Sequence, residues 1–128
     1  MYDGVGRIRV YTKTGLDLTS GGPVPPINLF TTENNGLRWH TLHLVVRGTT
    51  ITTVTTPATV ALGTGVAGTN IIASKSLSSI AAANDCVRVS PDDGFDSIAA
   101  STNVVLGVPV QATATAFTCT VWVIGYYA

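Results

Sequence analysis

A chain of 128 residues and 13.2 kDa has room for one domain with a sizeable core. Only 11% of its residues are charged against 45% hydrophobic, and seven Lys+Arg balance seven Asp+Glu. A net charge of zero argues against a nucleic-acid or anionic-membrane ligand, and the apolar runs are too short to span a bilayer.

Helix-forming stretches are scarce, whereas β-branched residues, two-residue alternation and Gly/Pro/Asn punctuation recur along the chain. Residues 6–12 read as a first strand, with Ile8 and Val10 on a buried face and Arg7, Arg9 and Tyr11 on a basic one. Residues 15–28 surround Gly21-Gly22-Pro23-Val24-Pro25-Pro26. Proline lacks a backbone donor, so this stretch is expected as an extended arm or connector. Residues 15–30 as a whole, with Leu16, Leu18, Val24, Ile27, Leu29 and Phe30, could lay such an arm on a neighbour's sheet edge. Asn34-Asn35-Gly36 is a turn signal. Residues 1–36 are therefore taken as an N-terminal strand plus arm, and residues 37–128 as the core of the one domain.

Residues 37–47 carry the strongest strand pattern, with His40, Leu42, Leu44 and Val46 opposed to Trp39, Thr41, His43, Val45 and Arg47. Gly48-Thr49 is expected to turn the chain into a threonine-rich strand at 50–56. Short strands follow at 58–62, 71–73 and 87–90, with a flexible loop at 63–70 and one short helix or turn at 74–84. Segments 104–106 and 108–115 are expected to pair locally. The last strand, 117–127, points Phe117, Cys119, Val121 and Val123 one way and Trp122, Ile124 and Tyr126 the other. This spacing without βαβ alternation predicts an all-β, antiparallel sandwich or jelly roll of about seven to nine strands with at most one short helix.

Candidate chemistry is sparse. His40 and His43 would face opposite sides of a regular strand and could not share one metal ion. Asp92, Asp93 and Asp96 form the one acidic cluster, read as turn chemistry with cation binding as the alternative. Gly63-x-Gly65-x-x-Gly68 fits a dinucleotide fingerprint by letters alone, since no ribose-binding acid follows. There is no Gly-x-Ser-x-Gly nucleophile turn. Cys86 and Cys119 could form one disulfide, but with no secretory leader evident they are expected as buried thiols. No cofactor, catalytic group, metal site or small-molecule substrate is expected. The residues with the best claim on a partner interface are Arg7, Arg9, Tyr11, Leu29, Phe30, Trp39, Tyr126 and Tyr127.

In its length, its Gly/Pro-bearing N-terminal segment, its Thr/Ala/Gly-rich strands and the closing strand Phe117-Thr118-Cys119-Thr120-Val121-Trp122-Val123-Ile124-Gly125-Tyr126, the chain resembles the capsid cement (decoration) proteins of tailed bacteriophages. The resemblance implies a homo-oligomer, a trimer ahead of a dimer, that binds the outer capsid surface and clamps neighbouring major capsid protein subunits. It implies a virion protein assembled in the host cytoplasm. The alternative is a receptor- or carbohydrate-binding module of a phage fibre or spike.

Overall fold

The structure, a computed structural model, describes residues 7–65, 68–91 and 97–128. The described residues form eight strands: β1 (Ile8–Asp17), β2 (Ile27–Thr31), β3 (Trp39–Thr56), β4 (Thr59–Gly63), β5 (Ile72–Ser76), β6 (Cys86–Val89), β7 (Asn103–Val110) and β8 (Thr113–Tyr127). They make two antiparallel four-stranded sheets, ordered β1-β8-β3-β6 and β2-β7-β4-β5. The pairing is nested: β1 with β8, β2 with β7, β3 with β6 and β4 with β5, as if one long hairpin had been rolled up. The fold is the expected all-β sandwich.

Side chains that alternate inward from both sheets fill the space between them. Leu44, Val46, Phe117, Cys119, Val121 and Val123 come from the first sheet; Val60, Leu62, Ile72, Val104 and Leu106 come from the second. Leu77 and Ile80 plug the core from the β5–β6 connection. Of the stretch 74–84, expected as one short helix or turn, residues 74–76 end β5 and the rest forms turns, with the Asp85 carboxylate accepting from the Ala81 and Ala82 amides at 3.0 Å each. Among the described residues there is no helix.

Several expectations are corrected by the pairing. The 15–30 stretch is tied into the sandwich: Leu16, Leu18, Ile27 and Phe30 are buried, β1 runs on to Asp17, and β2 pairs with β7. Apolar residues outnumber prolines there, and the core claims them; Val24 alone is left 86% exposed. Gly48 makes no turn, because β3 passes straight through it. A Cβ at Gly48 would lie 2.7 Å from Ile80 Cγ2 and 2.8 Å from Ile51 Cγ1, so glycine serves close packing. Segments 104–106 and 108–115 do not pair with each other. The first belongs to β7, between β2 and β4, and most of the second either ends β7 or begins β8.

The faces of β1 are the reverse of the expected ones. Arg9 pairs in register with Gly125 and Tyr11 with Val123, whose side of the sheet is the inner one. Ile8 and Val10, opposite Tyr126 and Ile124, therefore point outward and are 59% and 53% exposed. Alternation alone cannot say which face is the inner one.

Candidate partner-binding surface

Five of the eight proposed interface residues meet at one end of the sandwich. Tyr11 stacks on Phe30 with ring centroids 3.9 Å apart, and both meet Trp39 edge-on. Trp39 also meets Tyr127 edge-on at 5.1 Å. The Tyr11 and Tyr127 hydroxyls are 2.7 Å apart, and Tyr127 Oη accepts from the Glu33 amide at 2.9 Å. Arg9 forms an ion pair with Glu33 and lies over the Tyr127 ring. Desolvation, followed by the bond to Tyr127, pushes the Tyr11 phenol well above its ordinary value. The Tyr11 and Tyr127 hydroxyls are thus both spent on other members of the cluster.

Trp39 and Tyr127 are fully buried and Phe30 nearly so, which turns their side chains toward this chain's own core rather than a partner. Leu29 packs against the same core. Arg7 is exposed just before β1. Gly125 makes room for the cluster: a Cβ there would stand 2.2 Å from the His40 carbonyl oxygen and 2.5 Å from Trp39 Cζ2.

Tyr126 belongs to a different surface. Residues paired in antiparallel register share a face, so the pairings lay out the outer face of the first sheet in rows. Thr12, Trp122, Val45 and Arg88 form one row; Val10, Ile124 and His43 form the next; Ile8, Tyr126 and His40 form a third. Arg47 and Cys86 pair at the β6 side. His40 stacks on the Tyr126 ring at 4.8 Å. An antiparallel sheet with one wet face ordinarily places polar residues there. This one places Ile8 and Val10, both exposed, and Val45, Trp122, Ile124 and Tyr126, all half-buried. Those six lie on three strands about 4.8 Å apart and in three rows about 6.8 Å apart, a footprint on the order of 300 Å². A patch of that size on a monomer is often functional.

The bulge between Thr41 and His43 also changes the histidine argument. The extra residue, Leu42, resets the alternation, so His40 and His43 share the outer face instead of opposing each other. His43 Nδ1 is buried without a hydrogen-bond partner. Among the described residues no group of three or more His, Cys, Asp or Glu could hold a metal ion. Cys119 is buried and Cys86 exposed, both as free thiols, so the expectation of two buried cysteines holds for Cys119 alone. Burial pushes the Cys119 thiol up to about 12. Gly63 and Gly68 flank a hairpin loop between β4 and β5, closed by Asn70 Oδ1 accepting from the Thr64 amide at 2.7 Å. Among the described residues no helix start is present to hold a pyrophosphate. Asp92, Asp93 and Asp96 lie outside the described residues.

The sequence reading missed Ile8, Val10, Val45 and Ile124 as surface residues. A signal for them was in the sequence: β8 is apolar on both faces, and a two-layer sandwich can bury only one.

No family model matches this sequence, and no curated protein does. Solved structures do match. A chain of the cyanophage Pam1 capsid asymmetric unit aligns with a TM-score of 0.64 and 16% identity, over 100% of this chain and 89% of that one. A chain of the capsid of Ralstonia phage GP4 aligns with a TM-score of 0.55 and 18% identity, over 100% of this chain and 88% of that one. At such identities the likeness is one of fold, and it runs the whole length of the chain.

Proposed function

We propose, from that end-to-end likeness, that the protein is a structural component of a tailed-phage virion, a cement (decoration) protein on the outer surface of the capsid. In this reading it acts as an oligomer, a trimer ahead of a dimer, and clamps neighbouring major capsid protein subunits without a catalytic step. We read the nested strand pairing as a jelly roll, an architecture common among viral capsid domains. The observation that carries the proposal is the whole-chain match to chains of two phage capsid structures. The partly exposed apolar face of the first sheet supports it, since a freely diffusing monomer gains nothing from exposing Ile8 and Val10 there.

The physical logic is avidity. Each copy needs only modest contacts if linked copies engage several shell subunits at once, because the later contacts form at high effective concentration. Zero net charge, which leaves free monomers prone to associate, suits a protein that spends its working life docked.

The test is native mass measurement followed by co-sedimentation with expanded capsid shells of the source phage. The expected result is a mass two or three times that of the chain and saturable binding to shells. A monomer that ignores shells and binds glycans would overturn the reading in favour of a fibre or spike module.

A further inference from the structure

We infer that the outer face of the β1-β8-β3-β6 sheet is the docking face, and that its occupant is a capsid-shell protein surface combining apolar side chains with carboxylates. The inference rests on the virion reading for the source of that partner; the chemistry comes from the face itself. The apolar centre, Val10, Val45, Trp122 and Ile124, calls for an apolar counterpart. Its β6 side carries Arg88 in register with Val45, and Arg47 beside it, both exposed.

No Asp or Glu stands in the rows of that face. Arg9–Glu33 is the one ion pair found among the described residues, so neither Arg47 nor Arg88 has an anionic partner there. A partner that removes these guanidinium groups from water must supply opposite charge.

A second copy set face to face is a poor source of that charge, because among the described residues its matching face has no Asp or Glu in its rows. The described carboxylates are all engaged at home. Asp17 accepts from the Thr19 amide and hydroxyl, Glu33 pairs with Arg9, and Asp85 accepts from the Ala81 and Ala82 amides. Two copies set face to face would also bring their Arg47 and Arg88 cations onto one shared, desolvated surface. A face-to-face pair of copies is therefore disfavoured, and the face is assigned to the shell.

Cys86 offers a reporter that needs no mutation. Its exposed thiol pairs in register with Arg47 at the edge of the face, while the Cys119 thiol is buried and resists alkylation as an internal control. The experiment is maleimide labelling of the full chain, free and bound to shells, alongside binding of Val10→Asp and Arg88→Glu. Expected results are protection of Cys86 on shells, weakening of shell affinity by at least about tenfold for each variant, and weaker wild-type binding as salt rises from about 0.05 to about 0.5 M. Wild type that binds shells with Cys86 as reactive as in the free protein, and variants that bind equally well, would overturn the face assignment and leave the virion reading standing. Variants that fold but lose the oligomer mass would assign the face to a second copy, against the inference. Wild type that does not bind shells would remove both proposals together. If either variant misfolds, the wild-type footprint still decides.

Discussion

The two faces of the first sheet are made of similar residues and have different fates. Along β8, Phe117, Cys119, Val121 and Val123 are sealed beneath the second sheet, whereas Trp122, Ile124 and Tyr126 are only half covered by their own neighbours. Composition cannot explain the contrast, because both rows are apolar. The inner row has a second sheet to bury it, and among the described residues no second sheet covers the outer row. What separates a core from a docking face in this protein is thus the presence of a cover, and substitutions on the two faces should move different observables.

The inner face should answer in stability. Trp39 is fully buried, donates Nε1–H to Thr41 Oγ1 at 2.7 Å, and meets three other aromatic rings. Trp39→Ala is expected to cost about 3–5 kcal/mol, read as a lower denaturant midpoint with little change in slope. A loss below about 1 kcal/mol would mean that the aromatic cluster is not part of the core and that the contrast between faces is misdrawn. Gly125→Ala comes next. Its Cβ would meet the backbone oxygen of His40, which cannot rotate aside as a side chain could, so a loss of about 1–3 kcal/mol is expected by the same measurement.

Much of the fold was legible because it depends on period. The alternation in β8 and the spacing of the turn signals were enough for an antiparallel sandwich. What depends on partners was not legible. Nothing within residues 7–13 says whether Ile8 or Tyr11 faces the core; that is decided by the register with β8, more than a hundred residues away. The bulge between Thr41 and His43 likewise follows from pairing with β8, and it moved His43 to the face of His40. Gly48 looked like a turn because glycine marks turns and close contacts alike. Of the candidate site, Tyr126 could be read from its place opposite the inner row of β8. Phe30, Trp39 and Tyr127 could not be told from interface aromatics, because residue type is the same in a core and at a hot spot.

The two cysteines repeat the comparison on a smaller scale, and pH sharpens it. Burial raises the Cys119 thiol from 9.0 to about 12 in the folded chain, so the native state holds a proton that the unfolded state gives up. Stability from this group is full below about pH 9 and is lost as pH rises toward about 12. Cys119→Ala should therefore show a shallower loss of stability than wild type across that window, whatever its offset at neutral pH. Tyr11, also raised, falls in the same direction in both proteins and cancels in the difference. Parallel slopes would mean that the thiol is solvated and the inner row is leaky at Cys119.

The smallest effect is the most informative about the outer face. Val10 sits on an edge strand, is 53% exposed, and pairs with Ile124. Val10→Thr keeps the β-branched shape that suits a strand and exchanges a methyl group for a hydroxyl that water can satisfy. If nothing within the chain covers this side, the change should alter stability by no more than about 0.5 kcal/mol. A cost above about 1 kcal/mol would show that Val10 is already supported by its own fold and that no partner is needed to account for an apolar residue there. A stability-neutral result has the opposite force. Folding alone would then give no reason for Ile8, Val10 and Ile124 to be apolar together, and the reason would have to lie in what the face meets.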